Sequence, residues 1–163
     1  MGDATSTPIT RRRLLTHGAA VAASALAWRA SARAQAKIPI TVYKDANCGC
    51  CEAWVKHMSA NGFVPAVTNK TPTDMSAIKK ARGVADALAS CHTAILNGYV
   101  IEGHVPATDV KRLLAEKPKT IAGLTIPGMP QSAPGMDVTP FQPYTVLTFD
   151  AKGRTSVWAE HKK

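Results

Sequence analysis

Asn47-Cys48-Gly49-Cys50-Cys51 puts three of the chain's four cysteines within four consecutive residues. The run before it, Ile38-Pro39-Ile40-Thr41-Val42-Tyr43, is rich in β-branched and aromatic residues and reads as a strand. Lys44 to Gly49 then forms a loop. From Cys50 or Cys51 onward the pattern is helical: Ala53, Trp54, His57, Met58 and Ala60 recur at spacings of three and four, and Asn61-Gly62 is a stop signal. The cysteines therefore sit where a strand hands over to a helix. Thiols this crowded invite oxidation, and thiolates this crowded repel one another. A disulfide or a soft metal ion has to compensate.

Beyond this unit the chain keeps alternating. Phe63 to Thr68 is a second strand, with Pro65 placing it at a sheet edge. Thr73 or Asp74 caps a short helix that runs through Arg82 and ends at Gly83. Val84 to Ser90 has room for one helical turn. Thr93–Leu96 and Tyr99–Glu102 flank Asn97-Gly98, the strongest short hairpin signal a sequence offers. Pro106 to Lys117 is amphipathic, with Val110, Leu113 and Leu114 on one face, and Pro118 ends it. Lys119 to Pro143 reads as a long Pro/Gly-rich irregular segment. Tyr144–Phe149 and Thr155–Trp158 close the chain as a hairpin around Asp150-Ala151-Lys152-Gly153. The fold class expected is α/β: a thioredoxin-like β-α-β-α-β-β-α core with a C-terminal loop and β-hairpin extension.

The first 36 residues read as a leader rather than as fold. Arg11-Arg12-Arg13 precedes a small, apolar run from Gly18 to Trp28, and Ala34-Gln35-Ala36 is a small-x-small cleavage site. This is an export signal with a twin-arginine flavour, although the motif lacks an aromatic after the arginines and a Sec route fits as well. The domain expected is then 37–163, in the periplasm. The leader carries five of the 20 basic and one of the 11 acidic residues, leaving 15 against 10 and a charge of about +5. The remaining basics are scattered without interleaved aromatics, which argues against nucleic-acid binding. The leader's apolar run is shorter than the about 20 residues of a membrane span and no later stretch comes near that length, so no stable insertion is expected after cleavage.

Three readings of the cysteines stand open. Cys48 and Cys51 form a CxxC pair in the position of a thiol–disulfide redox centre, with Gly49 letting the backbone bend and the helix N-terminus favouring thiolate. Alternatively Cys48, Cys50, Cys51 and Cys91 together hold soft metal, Cu(I) above all, in a cluster with bridging thiolates. This reading gives Cys50 a use, and adjacent cysteines span one tetrahedral ion poorly. Zinc sites prefer separated C-x₂₋₄-C pairs. The third reading is a pair of disulfides in an exported module without metal. His92, directly after Cys91, is a candidate ligand or a donor that orients one. Met129 and Met136 are candidate soft ligands in the irregular segment. His104 is a strand-end histidine by default, with His104-Val105-Pro106 able to fold back toward the site. His57 lies nearly two turns past Cys51 and is left out; Met58 and Trp54 read as core, and His161 as solvated.

At these residues a resemblance enters. Tyr43-Lys44-Asp45-Ala46-Asn47-Cys48-Gly49-Cys50-Cys51, Ser90-Cys91-His92-Thr93-Ala94, Gly98-Tyr99-Val100-Ile101-Glu102-Gly103-His104-Val105-Pro106, Gly123-Leu124, Pro127-Gly128-Met129-Pro130 and Pro134-Gly135-Met136 are similar to the CopG-like family of exported copper-resistance proteins, many of whose members form a domain-of-unknown-function family. The resemblance runs from about Ile40 to Trp158. It implies a thioredoxin-like core, a periplasmic location and a polynuclear copper–thiolate site. Its ligands would be Cys48, Cys50, Cys51 and Cys91, with His92, Met129, Met136 and His104 as further candidates. The function expected is a copper-binding protein holding Cu(I) for copper tolerance, with copper ions and other copper-handling proteins as partners. The alternative is an oxidoreductase built on Cys48 and Cys51.

Overall fold

The computed structural model describes residues 37–162; the leader expected over residues 1–36 lies outside them. The cysteine stretch sits where the sequence places it. Strand β1 (Ile38–Lys44) feeds helix α1 (Gly49–Ala60), which returns through β2 (Phe63–Asn69). Helix α2 (Pro72–Ala81), β3 (Thr93–Leu96), β4 (Tyr99–Glu102) and α3 (Ala107–Glu116) follow, then β5 (Gly123–Thr125), β6 (Tyr144–Phe149) and β7 (Thr155–His161). All seven strands form one mixed sheet, ordered β2-β1-β3-β4-β5-β6-β7. Parallel pairs β1–β2 and β4–β5 need crossovers, and α1 and α3 supply them. The β3–β4 pair is the Asn97-Gly98 hairpin, with φ of 48° and 86° at the two turn residues. Pro65 does lie in an edge strand, β2.

Side-chain period decides which face each element buries. In β1, Ile40, Val42 and Lys44 point inward. Trp54 and Met58, four apart on α1, are fully buried with Val110 and Leu113 of α3 against Ile40, Val42, Ala94, Ile101 and Leu124 of the sheet. Val100 alternates to the other face, where Val84, Leu88 and Phe149 cover it. Trp54 Nε1–H donates to the Val105 carbonyl at 2.9 Å and ties α1 to the entry of α3.

Four expectations change. The cap of α2 is Thr71, whose hydroxyl accepts from the Asp74 amide, and Pro72 takes the first helical position, where its missing N–H costs nothing. The Lys119–Pro143 segment is not irregular throughout: Gly123-Leu124-Thr125 forms β5 between β4 and β6. Gly123 is required there, because a Cβ would lie 2.0 Å from the Val100 carbonyl oxygen. Strand β7 extends to His161. His161 is not simply solvated: it is 2.8 Å from Asp109 and stacks on Tyr144. The one helical turn expected between Val84 and Ser90 is present, as a 3₁₀ turn at Asp86–Leu88.

Candidate metal site

Two loops meet at the end of the sheet where α1 begins. The first is the turn after β1. Asp45 organises it: its carboxylate accepts the Asn47 amide at 2.7 Å and its carbonyl the Cys48 amide at 3.2 Å. Cys48 is then the N-cap of α1, with extended backbone and no side-chain cap bond. The sulfurs of Cys48, Cys50 and Cys51 so gather at the helix end where amide N–H groups lack intrahelical acceptors.

The second loop carries Cys91-His92, and the strands behind it fix it firmly. Thr125 Oγ1 donates to the Leu88 carbonyl at 2.7 Å, and Ser90 Oγ donates to the Gly128 carbonyl at 2.6 Å. The Gly103 amide donates to the His92 carbonyl at 3.0 Å, and Gly103 packs so closely on Ser90 that a Cβ would meet its Oγ at 2.5 Å.

The loops bring all four cysteines together: the sulfurs of Cys48, Cys50, Cys51 and Cys91 lie within 4.8 Å of one another. Cys91, Cys51, His92 and His104 form a second, overlapping group on the same limit. Cys48 and Cys51 are joined as a disulfide, whereas Cys50 and Cys91 are free. Of the three cysteine readings, two disulfides are therefore not what this structure contains. Cys50 Sγ is 3.5 Å from Cys48 Sγ.

The histidines sharpen the picture. His104 Nε2 is 3.0 Å from Cys91 Sγ, and its Nδ1 is 2.7 Å from the Pro134 carbonyl. A carbonyl only accepts, so Nδ1 carries the proton and the Nε2 lone pair faces the sulfur. His92 Nδ1 is 3.4 Å from the same sulfur, and its buried Nε2 has no hydrogen-bond partner among the described residues. Its ring lies 4.3 Å from that of Trp54. Burial holds both imidazoles toward the neutral form, His92 well below the usual histidine value, where a lone pair is free to bind metal. Burial, and next the neighbouring Cys50, push the Cys91 thiol up to about 12. Without a cation this sulfur stays protonated and donates to His104; a bound cation reverses that preference and expels the proton.

The methionines lie at the margin. Met129 is half exposed and, with Ala89, Ser90, Cys91 and Gly128, lines an apolar pocket of about 310 Å³. Met136 is half-buried. The preceding Gly135 presses on the first turn of α1, where a Cβ would lie 2.7 Å from the Trp54 amide nitrogen and 2.9 Å from the Cys50 carbonyl oxygen. His57 stays apart, accepting the Ala107 amide at 3.1 Å.

Two charged residues beneath the site escape a reading of motifs. Lys44 is fully buried, with its ammonium 2.6 Å from Glu52 and donating to the Asp45 carbonyl. Glu102 is fully buried and paired with Lys79 of α2. Their one signal in the sequence is a charge at an inward strand position.

Known proteins share sequence and fold with this chain. Residues 88–136 match the family model described as protein of unknown function, DUF411. That segment contains Cys91, His92, His104, Met129 and Met136, but not the Cys48–Cys51 cluster. A comparison with curated proteins gave no match. Two solved structures of copper resistance protein CopG are similar to the chain. Form 1 is 40% identical with a TM-score of 0.72, covering 78% of this chain and 99% of its own. Form 2 is 43% identical with a TM-score of 0.68, covering 77% and 98%. The chain belongs to the CopG family of copper resistance proteins.

Proposed function

We propose that this chain is an exported, periplasmic copper-binding protein that holds Cu(I) in a polynuclear cysteine-thiolate site, because four sulfurs gathered at one place suit a cluster better than a single-ion cage. The observation that carries the reading is four cysteine sulfurs within 4.8 Å, with two buried neutral imidazoles on Cys91. Soft thiolate ligands select Cu(I), and imidazole tolerates it. Cys48, Cys50, Cys51 and Cys91 are the thiolate ligands, His92 and His104 complete the set, and Met129 and Met136 serve as peripheral thioethers. The scaffold is thioredoxin-like, which the β2-β1-β3-β4 order and the cysteines at the start of α1 support. Copper tolerance is the role, in exchange with other periplasmic copper-handling proteins.

A second reading rests on the Cys48–Cys51 disulfide. Two electrons cleave its S–S bond to two thiolates. A dithiol donor supplies them by becoming a disulfide, or two Cu(I) ions supply one each by becoming Cu(II). The protein is then an oxidoreductase whose oxidised form lacks two of its metal ligands.

Elemental analysis of the reduced protein loaded with Cu(I) under anaerobic conditions, with a free-thiol count on the copper-free form, tests both. More than one copper per chain, lost on Cys50→Ser, supports the cluster. No retained copper, with Cys48–Cys51 cycling between dithiol and disulfide, leaves the oxidoreductase alone.

A further inference from the structure

Glu102 is an anomaly in its strand. It is a fully buried carboxylate at the end of β4, paired across the hairpin with Thr93. Burying a carboxylate is unfavourable unless its oxygens are satisfied, and these are satisfied in an unusual pattern. Oε1 accepts the Ser90 backbone amide at 2.7 Å and the Lys79 ammonium. Oε2 accepts the Thr93 hydroxyl at 2.6 Å. Lys79, largely buried itself, also donates to Thr93 Oγ1 at 3.0 Å. Ser90 and Thr93 are the residues on either side of Cys91-His92. One carboxylate thus grips the chain immediately before and immediately after the dipeptide that brings a thiol and an imidazole to the site.

We infer that Glu102, braced by Lys79, is a positioning residue that brackets Cys91-His92 and fixes where their ligand atoms point. The inference rests on the copper-binding reading and deepens it. The bracket acts through the backbone: it touches neither Cys91 Sγ nor the imidazole of His92. An apolar residue at 102 would fill the space and leave the Ser90 amide and Thr93 hydroxyl without their acceptor. The loop would then sample orientations in which Cys91 Sγ leaves the other sulfurs. Groups that orient metal ligands typically change metal affinity by about 10–100-fold when removed.

The test is Cu(I) affinity, measured by competition with a chromogenic Cu(I) chelator on the reduced protein at 25 °C. Glu102→Ala should weaken binding at least about tenfold. Thr93→Val, which removes one arm and is the gentler change, should weaken it several-fold. Glu102→Gln, whose amide can accept from Ser90 and donate to Thr93, should restore most of the affinity. Val146→Ala, a core change in β6, should lower stability without moving the affinity, which separates positioning from general destabilisation. Equal affinities for Glu102→Ala and Val146→Ala would overturn the bracket, and so would failure of Glu102→Gln to rescue. A second readout needs no copper: the rate at which iodoacetamide alkylates Cys91 in the copper-free protein, mapped by mass spectrometry. Glu102→Ala should raise that rate and Val146→Ala should not. If the wild type binds no copper, the copper reading fails, and this rate alone decides the bracket. An unchanged rate would sink it.

Discussion

Gly135→Ala offers a sharp test of how the Pro134-Gly135-Met136 segment is seated on the site. Two effects add. Gly135 has φ of +88°, and an alanine there carries a left-handed penalty of roughly 1–2 kcal/mol. The new Cβ also collides with backbone atoms of α1, 2.7 Å from the Trp54 nitrogen and 2.9 Å from the Cys50 oxygen. Backbone in the first turn of a packed helix cannot swing aside. Moving from 2.7 Å to the 3.4 Å where ordinary contact begins lifts the loop by about 0.7 Å. That lift stretches the 2.7 Å bond between His104 Nδ1–H and the Pro134 carbonyl toward about 3.4 Å, where it is much weakened. Weakening it costs up to about 1 kcal/mol, with lost packing in addition. Gly62→Ala is the control, because Gly62 has φ of +90° with open space around it. It shares the backbone penalty and the unfolded-state effect of replacing glycine. Denaturant unfolding of the reduced protein should therefore show Gly135→Ala less stable than Gly62→Ala by about 1–3 kcal/mol. Equal destabilisation would refute the packing of this loop on α1.

Three further outcomes follow from the same contacts. Cys50→Ser should leave the Cys48–Cys51 disulfide able to form, since Cys50 is outside that bond, while lowering the copper retained; thiol mapping and elemental analysis read the two results separately. Burial lowers the His57 pKa, with the Asp137 carboxylate opposing, so the folded protein prefers neutral His57, the form that accepts the Ala107 amide. The stability this gives is present above the ordinary value of 6.5 and is lost as pH falls through the lower folded value. The stability gap between wild type and His57→Gln should narrow below pH 6.5, and a gap independent of pH would contradict the assignment. Trp54→Phe strips the Val105 carbonyl of its indole donor in a dry core and should destabilise by about 1–3 kcal/mol in denaturant titrations; a neutral effect would deny that this bond matters.

What was legible in the sequence was whatever local chemistry encodes. Asn97-Gly98 gives a two-residue hairpin because both positions need positive φ. The three- and four-residue spacing of Trp54 and Met58 names the buried stripe of α1. The Cys48–Cys51 cluster announces itself by crowding. What was not legible depends on partners far along the chain. Gly123-Leu124-Thr125 is too short and too glycine-rich to read as a strand alone; its neighbours β4 and β6 make it one. His104 reads as the end of a hairpin until Pro134, thirty residues on, fixes its ring toward Cys91. The sequence sets Lys44 at the start of a loop and Glu102 at the end of a strand, and nothing in their neighbourhood names Glu52, Lys79 or Ser90 as partners.

The central claim is that sulfur from both loops holds the copper, and copper K-edge X-ray absorption on the reduced, Cu(I)-loaded protein tests it most directly. The expected result is a Cu(I) edge with a first shell dominated by sulfur, a smaller imidazole contribution, and loss of part of the sulfur shell in Cys91→Ser. A shell of nitrogen and oxygen only, or a sulfur shell that Cys91→Ser leaves intact, would contradict it.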